Sequence, residues 1–388
     1  MRENPPRHLG IWACCGLLLA AAAPLLGNEP TATATQAPVP TTGSPWDLTA
    51  TGRASAGWRT NVTLSSFHSL DRAFWRTEAE LIVLRRFAEQ WRLIGYADAD
   101  LLRYVSPAPG VPGEQELVAS IELRWQPAQW TRTSVKGVGF TQTTFIDPSE
   151  TEGSQQLPLR VRLRAGFSTF AERFSLPAGF AVEPSFQVKE VRYVGYAGDY
   201  TETRPGIRVL WTRSPVLELS AAFFASRRSY AELAPSTAAN RPLPGQKLSL
   251  RQQEAELRAR TRRGNWTVTL VAARLGNRDR TQGFLDYDQN RASLDVEWER
   301  GPWRVTLQTD ARRMDYLVQK VGVGTSRPAR IADAYDLTGH VERDVGHNWA
   351  IFLENRWERR RSNVADDSGA HPFSYRTNLA SAGIQRTF

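Results

Sequence analysis

Apolar and polar residues alternate along most of the chain from Trp46 to its end. The clearest segment is LPLRVRLRAGFSTF (157–170), where apolar residues occupy one face and Arg160, Arg162 and Arg164 the other. A period of two residues predicts β-strands that bury one face. A soluble β-sandwich gives the same pattern with the arginines in solvent, so a single segment leaves both folds open.

The connections between these segments alternate in length. Short turns are predicted near residues 86–90, 126–129, 170–179, 212–215, 263–265, 299–302 and 343–348. Long polar loops are predicted near 60–72, 104–115, 146–156, 196–205, 230–246, 276–287, 315–331 and 362–373. This alternation is typical of transmembrane up-and-down antiparallel β-barrels. It therefore predicts an all-β fold with about 16 strands, a number that can leave an aqueous lumen.

Tryptophans recur directly after the short turns. An indole ring suits the headgroup level of a bilayer, where the ring is buried and its N–H stays hydrated. Recurrence at one end of successive strands favours an aromatic girdle over a set of core residues. The predicted girdle consists of Trp91, Trp130, Trp266, Trp303 and Trp349.

The polar face of each strand then predicts the lining of the lumen. Carboxylates and arginines alternate there, so we expect an ion-pair network that spans the lumen and keeps the barrel wall from collapsing. Surplus arginines would also make the lumen a conduit that attracts anions, and the two interpretations are compatible. The predicted pore-lining residues are Arg160, Arg162, Arg164, Glu254, Glu256, Arg258, Arg260, Arg304, Asp310, Arg312 and Arg356.

The N-terminal residues predict export from the cytoplasm. Arg2 and Arg7 precede the apolar run IWACCGLLLAAAAPLLG, as in a secretory signal peptide. A lipoprotein signal ending at Cys14 is the competing interpretation. The predicted division is a signal peptide at 1–27, a disordered Thr/Ala/Pro-rich leader at 28–45 and an outer-membrane β-barrel at 46–388.

Charge and chemistry narrow the function. The net charge is +9, but the arginines are spread singly along strands, so nucleic-acid binding is not expected. Neither a catalytic constellation nor metal-ligand spacing stands out, so we expect no enzyme activity, no metal and no cofactor.

The two ends of the predicted barrel resemble a bacterial outer-membrane family. LTATGRASAGWRTNVTLSS (48–66) resembles its first hairpin, with a Gly–aromatic pair before an Asn-containing loop. RWERRRSNVADDSGAHPFSYRTNLASAGIQRTF (356–388) resembles its last hairpin. The family includes β-barrel porins and the barrels of exopolysaccharide exporters and surface-lipoprotein assembly modifiers. Exporter barrels normally carry an N-terminal helical-repeat domain, and the leader at 28–45 is expected to be too short for one.

The predicted protein is a porin-like channel for hydrophilic, anionic solutes in the bacterial outer membrane. The alternatives are the outer-membrane pore of a polysaccharide or surface-protein export system, and a structural or assembly barrel plugged by its own loops. Loop 315–331 is expected to fold inward. The predicted partners are outer-membrane lipid, lipopolysaccharide, the permeating solutes and the outer-membrane insertion machinery, for which Phe388 would form the signal.

Overall fold

The structure is a computed structural model that describes residues 46–388 except 67–68, 109–110, 147–158, 195–197, 238–240, 322–326, 366–370 and 372. The predicted signal peptide and leader lie outside the described residues. The strands are β1 (Trp46–Arg59), β2 (Arg72–Ala88), β3 (Trp91–Ala108), β4 (Val111–Ala128), β5 (Thr131–Ile146), β6 (Leu159–Ser175), β7 (Phe180–Val194), β8 (Tyr200–Ser214), β9 (Leu217–Tyr230), β10 (Ser249–Arg263), β11 (Trp266–Asp279), β12 (Tyr287–Arg300), β13 (Trp303–Lys320), β14 (Ala329–Gly346), β15 (Trp349–Ser362) and β16 (Tyr375–Thr387).

The strands form one closed antiparallel barrel in which each strand pairs with its neighbours in sequence and β16 pairs with β1. The predicted all-β fold and its strand number are confirmed. Closure gives every strand two partners, so no edge of the sheet is left unpaired. Within the described ranges, no helix is long and apolar enough to cross a membrane.

Seven short connections lie at one end of the barrel, which we call the turn end, and eight connections lie at the other, the loop end. Turn residues explain the tight connections. His347 and Asn348 have φ values of 54° and 62°, and Gly264 has a φ of 58°. Two-residue hairpin turns need such left-handed residues because their twist must match that of the strands.

The strands extend further towards the loop end than the sequence predicts. β3 runs to Ala108 and β4 begins at Val111, so the predicted long loop 104–115 is a two-residue connection. β13 runs to Lys320 and β14 begins at Ala329, so most of the predicted loop 315–331 is part of the wall. The predicted bounds of these two loops were wrong because the ladder continues where inward-folded connections cover its inner face, as the burial of Tyr104 and Tyr316 shows. The centre of loop 315–331, residues 322–326, lies outside the described residues, so its inward folding stays a prediction.

Other connections at the loop end fold inward. Leu248, fully buried, and Phe284 and Leu285 pack in one apolar cluster with inward-facing wall residues such as Tyr200 and Leu250. On the other side of the barrel, Val62 packs against Phe74, Leu102, Tyr104 and Leu379. The described parts of the connections 60–71, 231–248 and 280–286 therefore narrow the loop end, since each is anchored by apolar contacts.

Candidate functional site: the lumen

The two faces of the wall have opposite polarity. On β10, Leu257 is 64% exposed on the outside, while its neighbours Glu256 and Arg258 are half-buried on the inside. Side chains of directly paired residues share a face, so the ladder carries this assignment round the barrel. Exposed outward residues include Ile121, Val135, Leu270, Leu307, Ile351, Leu353 and Ile384.

Most of the predicted pore-lining residues do face the lumen. The ion pairs Arg204–Glu254, Arg208–Glu256, Arg304–Glu299, Arg312–Asp310 and Arg356–Glu354 join inward-facing side chains. Arg258 and Arg260 share the face of Glu254 and Glu256 on β10. This geometry places the side chains; their role in permeation stays a prediction.

For Arg162 and Arg164 the predicted position in the lumen was wrong. Leu163, 4% exposed, packs inside with Val191 and Tyr193, so its two neighbours on β6 face outward. Arg164 lies opposite Arg192, whose exposed side chain pairs with Glu190 outside the barrel. The side chain of Arg160 lies outside those that the structure describes.

The outward position of Arg162 and Arg164 has a physical cause. Near the loop end the outside of the wall rises above the apolar band, so charged residues suit it, while the inside is covered by inward-folded connections and favours apolar residues. The alternation in β6 is therefore regular, but its two faces are exchanged relative to the prediction. A period of two residues defines two faces without saying which one is inside.

An acidic patch on the inner wall was missed in the sequence. Glu78 lies opposite Asp100, and Asp100 lies opposite Glu116 on the next strand. One step nearer the turn end, Glu80 lies opposite Asp98. The signal was present in the alternating segments TEAEL, ADADL and EQEL of β2, β3 and β4. Like charges in register oppose folding unless cations or hydrogen bonds compensate them.

Arg76 compensates part of this patch. Its guanidinium contacts Asp100 at 2.8 Å, Glu78 at 2.9 Å and Glu354, across the β1–β16 seam, at 3.2 Å. His340 also faces the lumen, where it lies 3.5 Å from Glu342 and 3.8 Å from Glu354 and stacks on Phe352. The network therefore joins β2, β3, β14 and β15 through the interior.

Acidic and basic side chains are close to balanced on the inner wall. Further inward pairs are Arg59–Glu114, Arg132–Glu183, Arg228–Glu202, Arg291–Asp310 and Arg360–Asp336. The outer face near the loop end is lopsided: its arginines are Arg103, Arg162, Arg164, Arg192, Arg227, Arg251, Arg274, Arg278, Arg313, Arg359, Arg361 and Arg376, and its carboxylates are Glu190, Asp288, Asp315 and Asp333. Among the side chains that the structure describes, the positive surplus therefore lies mainly outside the lumen.

All five predicted girdle tryptophans lie at the turn end, and all are exposed. Trp91, Trp266, Trp303 and Trp349 begin strands, and Trp130 directly precedes β5. Trp91 stacks on Trp125 and Trp266 packs against Trp298. Arginines on neighbouring strands lie over these rings, as Arg343 does over Trp303 and Arg386 over Trp349. Their assignment to a membrane interface stays a prediction.

Phe388 closes the seam of the barrel. Its backbone N–H donates a hydrogen bond to the carbonyl of Ala50 at 2.8 Å, and its exposed ring lies beneath the guanidinium of Arg386. Whether an insertion machinery recognises it stays a prediction.

Within the described ranges, no group of three or more His, Cys, Asp or Glu could hold a metal ion.

Comparison with known proteins finds similarity only at the level of structure. No family model and no curated protein matches the sequence. An anion-selective porin from Comamonas acidovorans is similar with a TM-score of 0.46 and 11% identity, over 88% of this chain and 100% of the porin. The trimer form of OmpT, an outer membrane protein of Vibrio cholerae, has a TM-score of 0.47 and 9% identity, over 89% of this chain and 100% of OmpT. OccAB4 of Acinetobacter baumannii has a TM-score of 0.47 and 7% identity, over 90% of this chain and 100% of OccAB4.

Proposed function

We propose that the protein is a channel of the bacterial outer membrane through which small hydrophilic solutes diffuse. One observation carries this proposal: a closed barrel has an apolar, exposed outer face and a charged inner face. The apolar area of a surface that encircles the protein is far larger than the apolar patches that proteins expose to water, but it suits contact with lipid. A closed barrel also satisfies every backbone group within hydrocarbon.

The charges of the lumen favour weak ion selectivity. Most inward arginines described above have a carboxylate partner, and the acidic patch of β2–β4 adds negative charge. The anion preference predicted from the sequence drew partly on Arg162 and Arg164, which lie outside the lumen. It stays a prediction, and the sign of the reversal potential in a salt gradient tests it.

Flux through the lumen can be tested by chemistry on cysteine. The sequence has cysteines only at 14 and 15, so protein produced from residue 28 onward has no background thiol. Ser220 of β9 faces the lumen opposite Arg258, and Ala221 beside it faces outward opposite Leu257. We expect a sulfonate-bearing methanethiosulfonate reagent to lower the single-channel current of Ser220→Cys and to leave that of the matched control Ala221→Cys unchanged.

The alternatives predict other results. A barrel plugged by its loops would show no current in planar bilayers with folded, heat-modifiable protein. An equal block of both cysteine variants would place the conducting path outside this lumen. A single-channel current larger than a lumen narrowed by inward-folded connections can carry, together with passage of long oligosaccharides, would favour an export pore. The resemblance of this chain to export barrels stays a prediction.

A further inference from the structure

Three arginines form a row on the outside of the barrel near the loop end. Arg227 of β9 lies directly opposite Arg251 of β10, which lies directly opposite Arg278 of β11. All three are exposed on the outward face. Arg274, two outward positions below Arg278, is also exposed.

The row carries more positive charge than the neighbouring carboxylates offset. Like charges at directly paired positions destabilise a sheet, and each pair here brings two guanidinium groups together. The nearby carboxylate of Asp288 contacts Arg278 and lies 3.6 Å from Arg274. Among the residues that the structure describes, neither Arg227 nor Arg251 has a carboxylate within 4 Å. An external anion would therefore stabilise this face.

The surface below the row is apolar. Phe223 is 47% exposed, Leu257 64% and Leu270 52%, and they lie on the outward face of the same three strands. Arg227 follows the start of β9 at Leu217 by ten residues. At about 3.3 Å per residue and a tilt near 40°, this places the row about 25 Å above the turn end, the height of the apolar band of such barrels.

We propose that Arg227, Arg251 and Arg278 bind the phosphate groups of a phosphorylated glycolipid in the outer leaflet, whose acyl chains lie on the apolar surface below. The guanidinium fork matches phosphate oxygens with two parallel hydrogen bonds, and the adjacent forks of Arg227 and Arg251 suit a headgroup with more than one phosphate. Arg278 already donates to Asp288 and to the carbonyls of Asn277 and Tyr287, so it adds positive charge beside them. The inference rests on the membrane placement proposed above, but not on solute flux.

Lipid binding in neutral detergent tests this site. Native mass spectrometry would titrate folded protein with bisphosphorylated lipid A, dephosphorylated lipid A and phosphatidylglycerol. We expect bisphosphorylated lipid A to bind best, and the double variant Arg227→Gln/Arg251→Gln to lose about tenfold or more in affinity, as expected for a lost charge-assisted hydrogen bond.

The matched control is Arg263→Gln/Arg300→Gln, which removes two outward arginines at the turn end, opposite Trp266 and Trp303. It should keep its affinity for lipid A within about twofold, well below the tenfold effect of a lost charged contact. An equal loss in both double variants would mean diffuse attraction and would overturn the site. Equal binding of phosphatidylglycerol or dephosphorylated lipid A would overturn the phosphorylated glycolipid as its ligand.

Folding and function can be separated from binding. Without lipid, the Gln variant should unfold at a temperature no lower than the parent, because like charges are removed; with lipid A, the parent alone should gain stability. If the Gln variant fails to fold, Arg227→Lys/Arg251→Lys keeps the charge, loses the fork and should still bind less tightly. A protein that conducts but does not bind lipid A overturns this inference alone, and one that binds but does not conduct overturns the proposed function alone.

Discussion

Arg76 and Asp100 form a two-pronged ion pair inside the barrel. Nε of Arg76 donates to Oδ1 and Nη2 to Oδ2 of Asp100, each at 2.8 Å. The same guanidinium contacts Glu78 and Glu354. This cation therefore holds together carboxylates from three strands that would otherwise repel one another.

Removing this cation should weaken the fold. We expect Arg76→Gln to lower the free energy of unfolding by about 3 kcal/mol or more, because it leaves largely buried carboxylates uncompensated. Arg356→Gln is the control, since its half-exposed side chain reaches Glu354 only at 3.9 Å. Denaturant unfolding in lipid vesicles would measure both. Equal stability of the two variants would contradict the bridging role of Arg76.

Charge changes on the inner wall should shift ion selectivity in opposite directions. Neutralising the facing pair with Glu80→Gln/Asp98→Asn should move the reversal potential towards anions, and Arg258→Gln/Arg260→Gln should move it towards cations. Arg274→Gln removes a charge outside the wall and should change it least. Shifts of the same sign in both double variants would rule out a selectivity set by these walls.

The orientation of the wall predicts where a charge is costly. Leu257 lies six residues from the turn-end residue Arg263, about 15 Å in height and near the middle of the apolar band. Leu257→Arg should therefore destabilise the folded barrel by about 2–4 kcal/mol. Ala273→Arg places the same group inside, between Glu256 and Arg291 of the neighbouring strands, and should destabilise the barrel less than Leu257→Arg does. The free energy of unfolding in vesicles distinguishes the two faces, and a reversed order would refute their assignment.

Shortening the connection 231–248 should widen the loop end. Leu248 anchors it by a hydrogen bond from its N–H to the carbonyl of Leu233 at 2.8 Å and by its burial. Replacing 234–246 with a short Gly-rich turn should raise single-channel conductance. The exposed Arg241 serves as the control, since Arg241→Ala leaves the anchor intact. Unchanged conductance after shortening would mean that this connection does not restrict the lumen.

The last residue should matter for assembly. Deleting Phe388 removes both its ring and a backbone bond that joins β16 to β1, whereas Phe388→Ala keeps the backbone bond. We expect the deletion to lower the amount of heat-modifiable barrel in the outer-membrane fraction more than the substitution does. An equal loss would assign the effect to the ring, and no loss in either variant would exclude a signal at this position.

The sequence by itself determined the features that depend on local structure. The period of two residues and the alternating lengths of the connections predicted a closed barrel of about 16 strands, and the position of Trp266 after a turn located it at one end. On β10, the inward face with Glu256 and Arg258 was also predicted. Each of these follows from the pleat of a strand or from turn geometry, which nearby residues set.

Tertiary structure decided what depends on surroundings. Leu163 lies inside and Arg164 outside because connections distant in sequence, with Leu248 and Phe284, cover the inner wall there. Glu80 and Asp98 face each other because register aligns two strands. Likewise, the arginine surplus of the described strands lies mainly on the outer face. A period of two residues is the same for either face, so only closure of the barrel and the packing of its loops determine which face is the lumen.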